Sequence, residues 1–175
     1  MSNIVLGVTG SVATIKVKKL YKSLCSLGKV KIVATENAKH FIPKDLKFIS
    51  DKDEWKSWKK MGDPVLHIEL RKKASILVIA PLDANTLSKM ALGLCDNLLT
   101  SLIRAWDYSK PMIIAPAMNT AMWTNSPTSE HLDLLKKRGI IVIDPIEKKL
   151  ACQDVGIGAM ASIEEITETV KAVQK

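Results

Sequence analysis

Short apolar runs that alternate with amphipathic segments are the feature that most constrains the fold of this 175-residue chain. The runs are rich in Val and Ile and almost free of charge, which is typical of strands buried on both faces of a sheet. Helical patterns separate them, and such crossovers join parallel strands. The sequence therefore predicts one three-layer, doubly wound α/β domain of the Rossmann or flavodoxin type over residues 1–175. The predicted strands are Asn3–Val8, Val30–Ala34, Ser75–Ala80, Pro111–Ala115 and Ile140–Ile143.

The segments between these runs carry helix signals. Val12 to Leu27 has apolar residues at three- and four-residue spacing and ends at Gly28, which predicts one continuous helix. Residues 44–66 and 144–161 show no sustained period, so both are predicted to be irregular connections. Later helices are predicted to begin near Asp83, Asp96, Ser126 and Ser162, with Asp96 and Ser162 as caps.

Charge and cysteine content limit the classes of partner. The net charge of +8 is spread along the chain, and aromatic residues make up only 5%, so few rings are available to stack on bases. We therefore expect small anionic ligands rather than nucleic acid. The three cysteines are far apart and odd in number, which favours a reducing compartment over a disulfide framework. No stretch resembles a membrane span or a signal peptide, so a cytoplasmic location is expected.

Polar residues concentrate where the predicted strands end. Ligands of open α/β sheets bind outside the carboxyl ends of the strands, so these corners predict one shared site. A glycine–serine turn, Gly10-Ser11, precedes the first helix, and such a turn can cradle a phosphate with its N–H groups. The alternative is a tight turn that needs Gly10 for backbone reasons. The four corners are residues 9–11, 35–37, 81–86 and 116–123.

Three side chains are candidates for chemistry. His67 is the one ring singled out as an acid or base close to a strand corner, although a lone histidine beside apolar residues is more often structural. Asn119 places one amide among Met118, Met122 and Trp123, which suits either a ligand pocket or a helix cap. Cys152 lies in a glycine-bearing loop, where its thiol either meets a ligand or fills space. The residues themselves leave these alternatives open.

Several motifs resemble those of the phosphopantothenoylcysteine decarboxylase family. Residues 116–123 read PAMNTAMW and are similar to its PxMNxxMW motif, and residues 151–161 read ACQDVGIGAMA and are similar to its substrate-clamping loop. Residues 63–71, 80–87 and 93–100 match in order, so the resemblance covers nearly the whole chain. Gln153 departs from the family pattern, where glycine is usual after the cysteine.

The resemblance implies the cofactor, the assembly and the roles of individual residues. The family implies a homotrimer with FMN at a subunit interface. It makes His67 the catalytic acid or base, and Cys152 the acid of the last step. The substrate contacts carried over are Asn119, Met122 and Ala151, with Asn119 on the substrate carboxylate. The FMN contacts carried over are Gly10, Ser11, Val12, Thr35, Asp83, Asn85, Thr86 and Ala117.

The implied reaction converts 4′-phosphopantothenoylcysteine to 4′-phosphopantetheine in coenzyme A biosynthesis. An amide is a poor electron sink, so the flavin first oxidises the thiol carbon to a thioaldehyde, carbon dioxide leaves, and the resulting enethiolate is reduced. One alternative is a peptidyl-cysteine decarboxylase that stops at the enethiol, against which Cys152 argues. Another is a regulatory paralogue that inhibits a protein phosphatase, against which the presence of His67, Asn119 and Cys152 argues.

If Cys152 supplies the final proton, Cys152→Ser should still release carbon dioxide but accumulate the enethiol product. Mass spectrometry of the products measures this directly. Cys25→Ser is the matched control, because Cys25 lies on a predicted helix and should be replaceable without effect. Normal turnover by Cys152→Ser would show that this thiol is not the acid.

Overall fold

A computed structural model describes residues 2–150 and 155–174, and its centre is a five-stranded parallel sheet. The strand order is β2-β1-β3-β4-β5. Strands β2 and β3 therefore lie on opposite sides of β1, as expected of a doubly wound sheet. All five predicted strands are confirmed, with small shifts at their ends. Their bounds are β1 Ser2–Val8, β2 Gly28–Ala34, β3 Ile76–Leu82, β4 Met112–Pro116 and β5 Ile141–Val142.

Helices cover both faces of this sheet and divide the core into two clusters. On one face, α1 and α8 pack over alternate residues of the central strands, such as Leu6 and Val78. On the other face, α3, α4, α5 and α7 pack over the residues between them, such as Leu77 and Ile79. The helices are α1 Val17–Cys25, α2 Asp51–Ser57, α3 Leu66–Lys73, α4 Ala84–Leu92, α5 Leu98–Arg104, α6 Thr120–Trp123, α7 Ser126–Lys137 and α8 Ile163–Val173.

The first predicted helix is wrong in its opening turns. Val12–Lys16 forms a 3-10 helix, and the α-helix begins only at Val17. The Ser11 side chain accepts a hydrogen bond from Ala13 N–H, which satisfies a donor at the start of the 3-10 segment. The cap of α5 is also corrected, because Asn97 and not Asp96 caps it through Thr100 N–H. The predicted Ser162 cap is confirmed by a 3.0 Å bond from Glu165 N–H.

Both segments predicted to be irregular contain regular structure. Residues 144–161 hold an antiparallel pair, β6 Ile146–Lys149 and β7 Val155–Ala159, that lies outside the parallel sheet. Residues 44–66 hold α2, which begins at a capping box made by Ser50 and Asp53. None of the residues of α2 is buried, so a search for an apolar stripe could not detect this helix.

Within residues 2–150 and 155–174, every helix is too short or too polar to cross a bilayer.

Candidate functional site

A cavity of about 640 Å³ opens at the carboxyl ends of β1, β3 and β4. This volume falls in the range of ordinary small-molecule sites, and the location is the one expected for a doubly wound sheet. The lining residues come from the loops after these strands, from the 3-10 segment Val12–Lys16, from a second 3-10 segment, Glu36–His40, after β2, and from the β6–β7 pair. They include Gly10, Ser11, Val12, Lys16, Asn37, Asp83, Asn85, Ala117, Met118, Asn119, Met122, Lys148, Lys149 and Met160.

The Asp83 carboxylate joins two of the loops that form the cavity. One oxygen accepts a hydrogen bond from Gly10 N–H at 3.0 Å, and the other accepts one from Thr86 N–H at 2.7 Å. Asp83 is the N-cap of α4, so the same side chain also satisfies the helix terminus. A second hydrogen bond between the same loops runs from Asp83 N–H to the Thr9 hydroxyl at 2.8 Å. The loops after β1 and β3 are therefore fixed to each other.

This contact revises the predicted role of the Gly10-Ser11 turn. The Gly10 N–H already donates to Asp83, and the Ser11 N–H donates to Thr9 O within the turn. A Cβ at Gly10 would lie 2.6 Å from Asn37 Cβ, so glycine is required for the close approach of two loops. Glycine at position 10 is thus explained by the close approach of Asn37, and the Gly10 and Ser11 N–H groups both donate within the protein.

Other groups of the cavity suit a flavin mononucleotide. The Thr35 hydroxyl lies at the carboxyl end of β2, beside the loop that carries Gly10, and is a buried side-chain oxygen for which the described part of the chain offers no hydrogen-bond partner. An unpaired buried hydroxyl costs free energy, and this one lies beside the described lining of the cavity and not in it. With the Ser11 and Asn85 side chains in the lining, the cavity offers polar groups and enough volume for the nucleotide. The residues present therefore fit FMN.

Asn119 combines the two roles that its sequence context left open. It is the N-cap of α6 and accepts a hydrogen bond from Ala121 N–H at 2.8 Å through Oδ1. It also lines the cavity, together with Met118 and Met122. The Oδ1 atom is therefore engaged in the helix cap. Trp123, predicted as part of the same apolar frame, instead packs against the core that α7 covers.

The β6–β7 pair is attached to the loop that carries Asn119. Met118 N–H donates to Gly158 O at 2.9 Å, and the Thr120 hydroxyl donates to Ile157 O at 2.8 Å. Gly158 has φ +141, and a Cβ there would lie 2.2 Å from Met118 O, so only glycine permits this contact. Residues 151–154 connect the two strands and lie outside the described residues. Ala151 and Cys152 therefore remain predictions.

Three lysines make the cavity positive, and sequence reasoning did not select them. Lys16, Lys148 and Lys149 all belong to the lining. Burial lowers the pKa of Lys16 below its usual value, and the nearby charge of Lys148 lowers it further. Like charges held together in a cavity are stabilised by an anionic ligand. The arrangement therefore favours a ligand that carries a phosphate.

His67 is absent from the described lining of the cavity. It belongs to α3, which packs against α2 and α5, and neither of these helices supplies a described lining residue. Its Nδ1 lies 2.5 Å from Glu54 Oε1 of α2. Sequence reasoning missed Glu54, because 13 residues separate it from His67 and no helix was predicted to carry it.

The predicted site residues thus fall into four groups. The first group lines the cavity, and the second lies beside it. The third group is His67 alone, which lies elsewhere in the described fold. The last group lies outside the described residues. The first group is Gly10, Ser11, Val12, Asp83, Asn85, Ala117, Asn119 and Met122; the second is Thr35 and Thr86; the last is Ala151 and Cys152.

Comparison with known proteins gives consistent matches over the whole chain. The Flavoprotein family model matches residues 1–175. A phosphopantothenoylcysteine decarboxylase of Oryza sativa subsp. japonica is 53% identical over 177 residues, which cover 98% of this chain and 80% of the rice protein. A solved structure of a PPC decarboxylase mutant complexed with pantothenoylaminoethenethiol superposes with a TM-score of 0.94 at 51% identity, covering 98% of this chain and 97% of that one. The FMN binding protein AtHal3 superposes with a TM-score of 0.91 at 51% identity, covering 99% and 96%.

The link through Asp83 can be tested by substitution. Asp83→Ala removes the acceptor of two backbone N–H groups and should lower the free energy of unfolding by about 2 kcal/mol. Asp83→Asn keeps one acceptor oxygen, so about half of that loss is expected. Urea unfolding measures both values. Asp133→Ala on the exposed side of α7 is the control and should change the free energy by less than about 0.5 kcal/mol. A loss no larger than in the control would show that the link does not stabilise the fold.

Proposed function

This chain belongs to the Flavoprotein family, and from that premise we propose that it is an FMN-dependent carboxy-lyase that converts 4′-phosphopantothenoylcysteine to 4′-phosphopantetheine in coenzyme A biosynthesis. The observation that carries the proposal is the cavity at the strand ends, with an amide in an apolar wall and lysines at its side. Relatives named phosphopantothenoylcysteine decarboxylase, at 53% identity over 98% of the chain, support the same activity.

FMN, when bound, supplies the electron sink that a cysteine amide lacks. The residues that would hold it are those of the loops joined by Asp83, namely Gly10, Ser11, Val12, Thr35, Asp83, Asn85, Thr86 and Ala117. Because Asp83 links the loops after β1 and β3 through hydrogen bonds within the protein, little ordering of these loops is required on binding. The fold thereby presents a nearly preformed nucleotide site.

Asn119 is the group proposed to orient the substrate carboxylate. Its cap bond to Ala121 N–H fixes the amide, so its Nδ2 donors have a defined direction. Met118 and Met122 surround it with apolar atoms, which exclude water from the carboxylate that is to be lost. An amide orients this carboxylate by hydrogen bonds but does not neutralise it, so the substrate stays ionised. When neutral carbon dioxide leaves, the electron pair of the broken C–C bond remains on the rest of the substrate.

Two further residues complete the proposed chemistry. His67 is assigned the role of acid or base at the thiol-bearing end of the substrate, a role that contributes about 10²–10⁴-fold in rate. Cys152 is assigned the donation of the last proton, and Ala151 a contact with the substrate beside it. The attachment of β6 and β7 to the Asn119 loop supports the placement of the intervening residues near the cavity.

The active assembly is proposed to be a homotrimer with FMN at the subunit interface. The cavity lining described in one chain contains Asn119 but not His67, and this supports a site that a second chain completes. Val12, Ile15 and Met122 also lie at the cavity and are 43%, 60% and 52% exposed, an apolar rim that a neighbouring chain would cover. The cytoplasmic location of this assembly remains a prediction.

Product analysis tests the proposed function. Purified protein should be yellow or become so with FMN, and with phosphopantothenoylcysteine it should yield carbon dioxide and phosphopantetheine by mass spectrometry. His67→Asn is the matched control, because it should keep FMN and lose turnover. Protein that takes up no FMN, or holoprotein that leaves the substrate unchanged, would contradict the proposal.

The lysines of the cavity predict selectivity for a phosphorylated substrate. Lys16→Gln should lower kcat/KM for phosphopantothenoylcysteine about 10- to 100-fold, while kcat/KM for the unphosphorylated analogue changes little, because a charge-assisted hydrogen bond contributes about 1.5–3 kcal/mol. Lys19→Gln, on the exposed side of α1, should change neither value. Equal losses for the two substrates would show that Lys16 does not contact the phosphate.

A further inference from the structure

The Glu54 and His67 side chains form a close pair between α2 and α3. Glu54 Oε1 lies 2.5 Å from His67 Nδ1 and 3.5 Å from the His67 backbone nitrogen. The two side chains are only 15% and 25% exposed, so water competes weakly for the contact. A carboxylate and an imidazole at this distance share a strong, directional hydrogen bond.

The helix that carries Glu54 is held by polar contacts and not by burial. None of its residues is buried, and Trp55 is 76% exposed. Its first turn is fixed by the capping box of Ser50 and Asp53 and by a 2.7 Å bond from Leu98 N–H to Asp51. The second of these bonds attaches α2 to the start of α5, and α3 packs against α5. Glu54 is thus presented to His67 by a helix with an independent anchor.

The contact determines which nitrogen of His67 exchanges protons. An ionised carboxylate only accepts hydrogen bonds, so Nδ1 carries a hydrogen and donates it to Glu54. The proton that the ring takes or gives is then at Nε2. When Nε2 takes a proton from a substrate, the ring becomes positively charged, and the adjacent Glu54 carboxylate stabilises that charge.

We propose that Glu54 is a positioning residue, which holds the His67 ring in the Nδ1–H tautomer and stabilises its protonated form during turnover. The catalytic part of this inference rests on the proposed function of His67. The alternative is that the pair only ties α2 to α3. A tie of that kind would affect stability, but would leave the tautomer and kcat unchanged.

Steady-state kinetics of the FMN-loaded enzyme separate the two explanations. Glu54→Ala removes both orientation and charge and should lower kcat about 10²-fold, whereas Glu54→Gln retains an acceptor oxygen and should lower kcat only about tenfold. KM should stay within about twofold of the parent, because Glu54 lies outside the described lining of the cavity. Glu69→Gln is the matched control: it removes one carboxylate from α3, where Glu69 pairs with Lys72 and not with His67, and should be without effect.

Nitrogen-15 NMR of the histidine rings tests the contact without reference to activity. Labelled protein is measured at a pH high enough for the ring to be neutral, and the His67 signals are assigned by their loss in His67→Asn. The parent, Glu54→Gln and the Glu69→Gln control should show the Nδ1–H tautomer. Glu54→Ala should shift His67 toward the Nε2–H tautomer that a free imidazole favours.

The two measurements together decide the proposal. A tautomer that is unchanged in Glu54→Ala would overturn it, as would values of kcat within about twofold of the parent in both variants. Should Glu54→Ala fail to fold, Glu54→Gln decides, with the tautomer retained and the tenfold loss of kcat expected. Should the parent lack decarboxylase activity, the proposed function fails, while the NMR result still shows whether Glu54 sets the tautomer.

Discussion

The carboxylate of Asp83 is the contact on which the candidate site depends. It accepts one hydrogen bond from an N–H group after β1 and one from an N–H group at the start of α4, which follows β3. Strands β1 and β3 are neighbours at the centre of the sheet. A parallel sheet alone brings its strand ends to one edge but leaves the loops free to diverge. Because both carboxylate oxygens are engaged by backbone groups, the two loops are held at a fixed separation, and this separation shapes the cavity between them.

The strands and their common edge could be predicted from the sequence, because a strand buried on both faces must be apolar along its length. Val78 and Ile79, for example, belong to the core clusters of opposite faces. The partner of Asp83 could not be predicted in the same way, since 73 residues separate it from Gly10. A contact of that range depends on the finished sheet. For the same reason, the sequence around Gly10 predicts a phosphate cradle, whereas in the structure Gly10 allows two loops to approach each other closely.

The elements that bury little surface have no periodic pattern of apolar residues in the sequence. β6 is exposed at all four of its residues and α2 has no buried residue, so neither shows the alternation that identified the other elements. Both nevertheless bear on the site. β6 brings Lys148 and Lys149 to the cavity, and α2 brings Glu54 to His67. Polar contacts, and not burial, position these side chains. The apolar pattern of the sequence therefore predicts the sheet and its covering helices, but not these parts of the candidate site.

His67 and Asn119 lie apart within one chain, and this separation bears on how the proposed site assembles. Within one chain, the described lining holds Asn119 and the polar groups of the strand-end loops, while His67, the proposed acid or base, lies on α3 with Glu54 as its partner. If two chains form each site, association brings together two parts that are already rigid. Asp83 makes one part rigid, and Glu54 the other. Assembly then costs little conformational entropy, and catalysis depends on the interface.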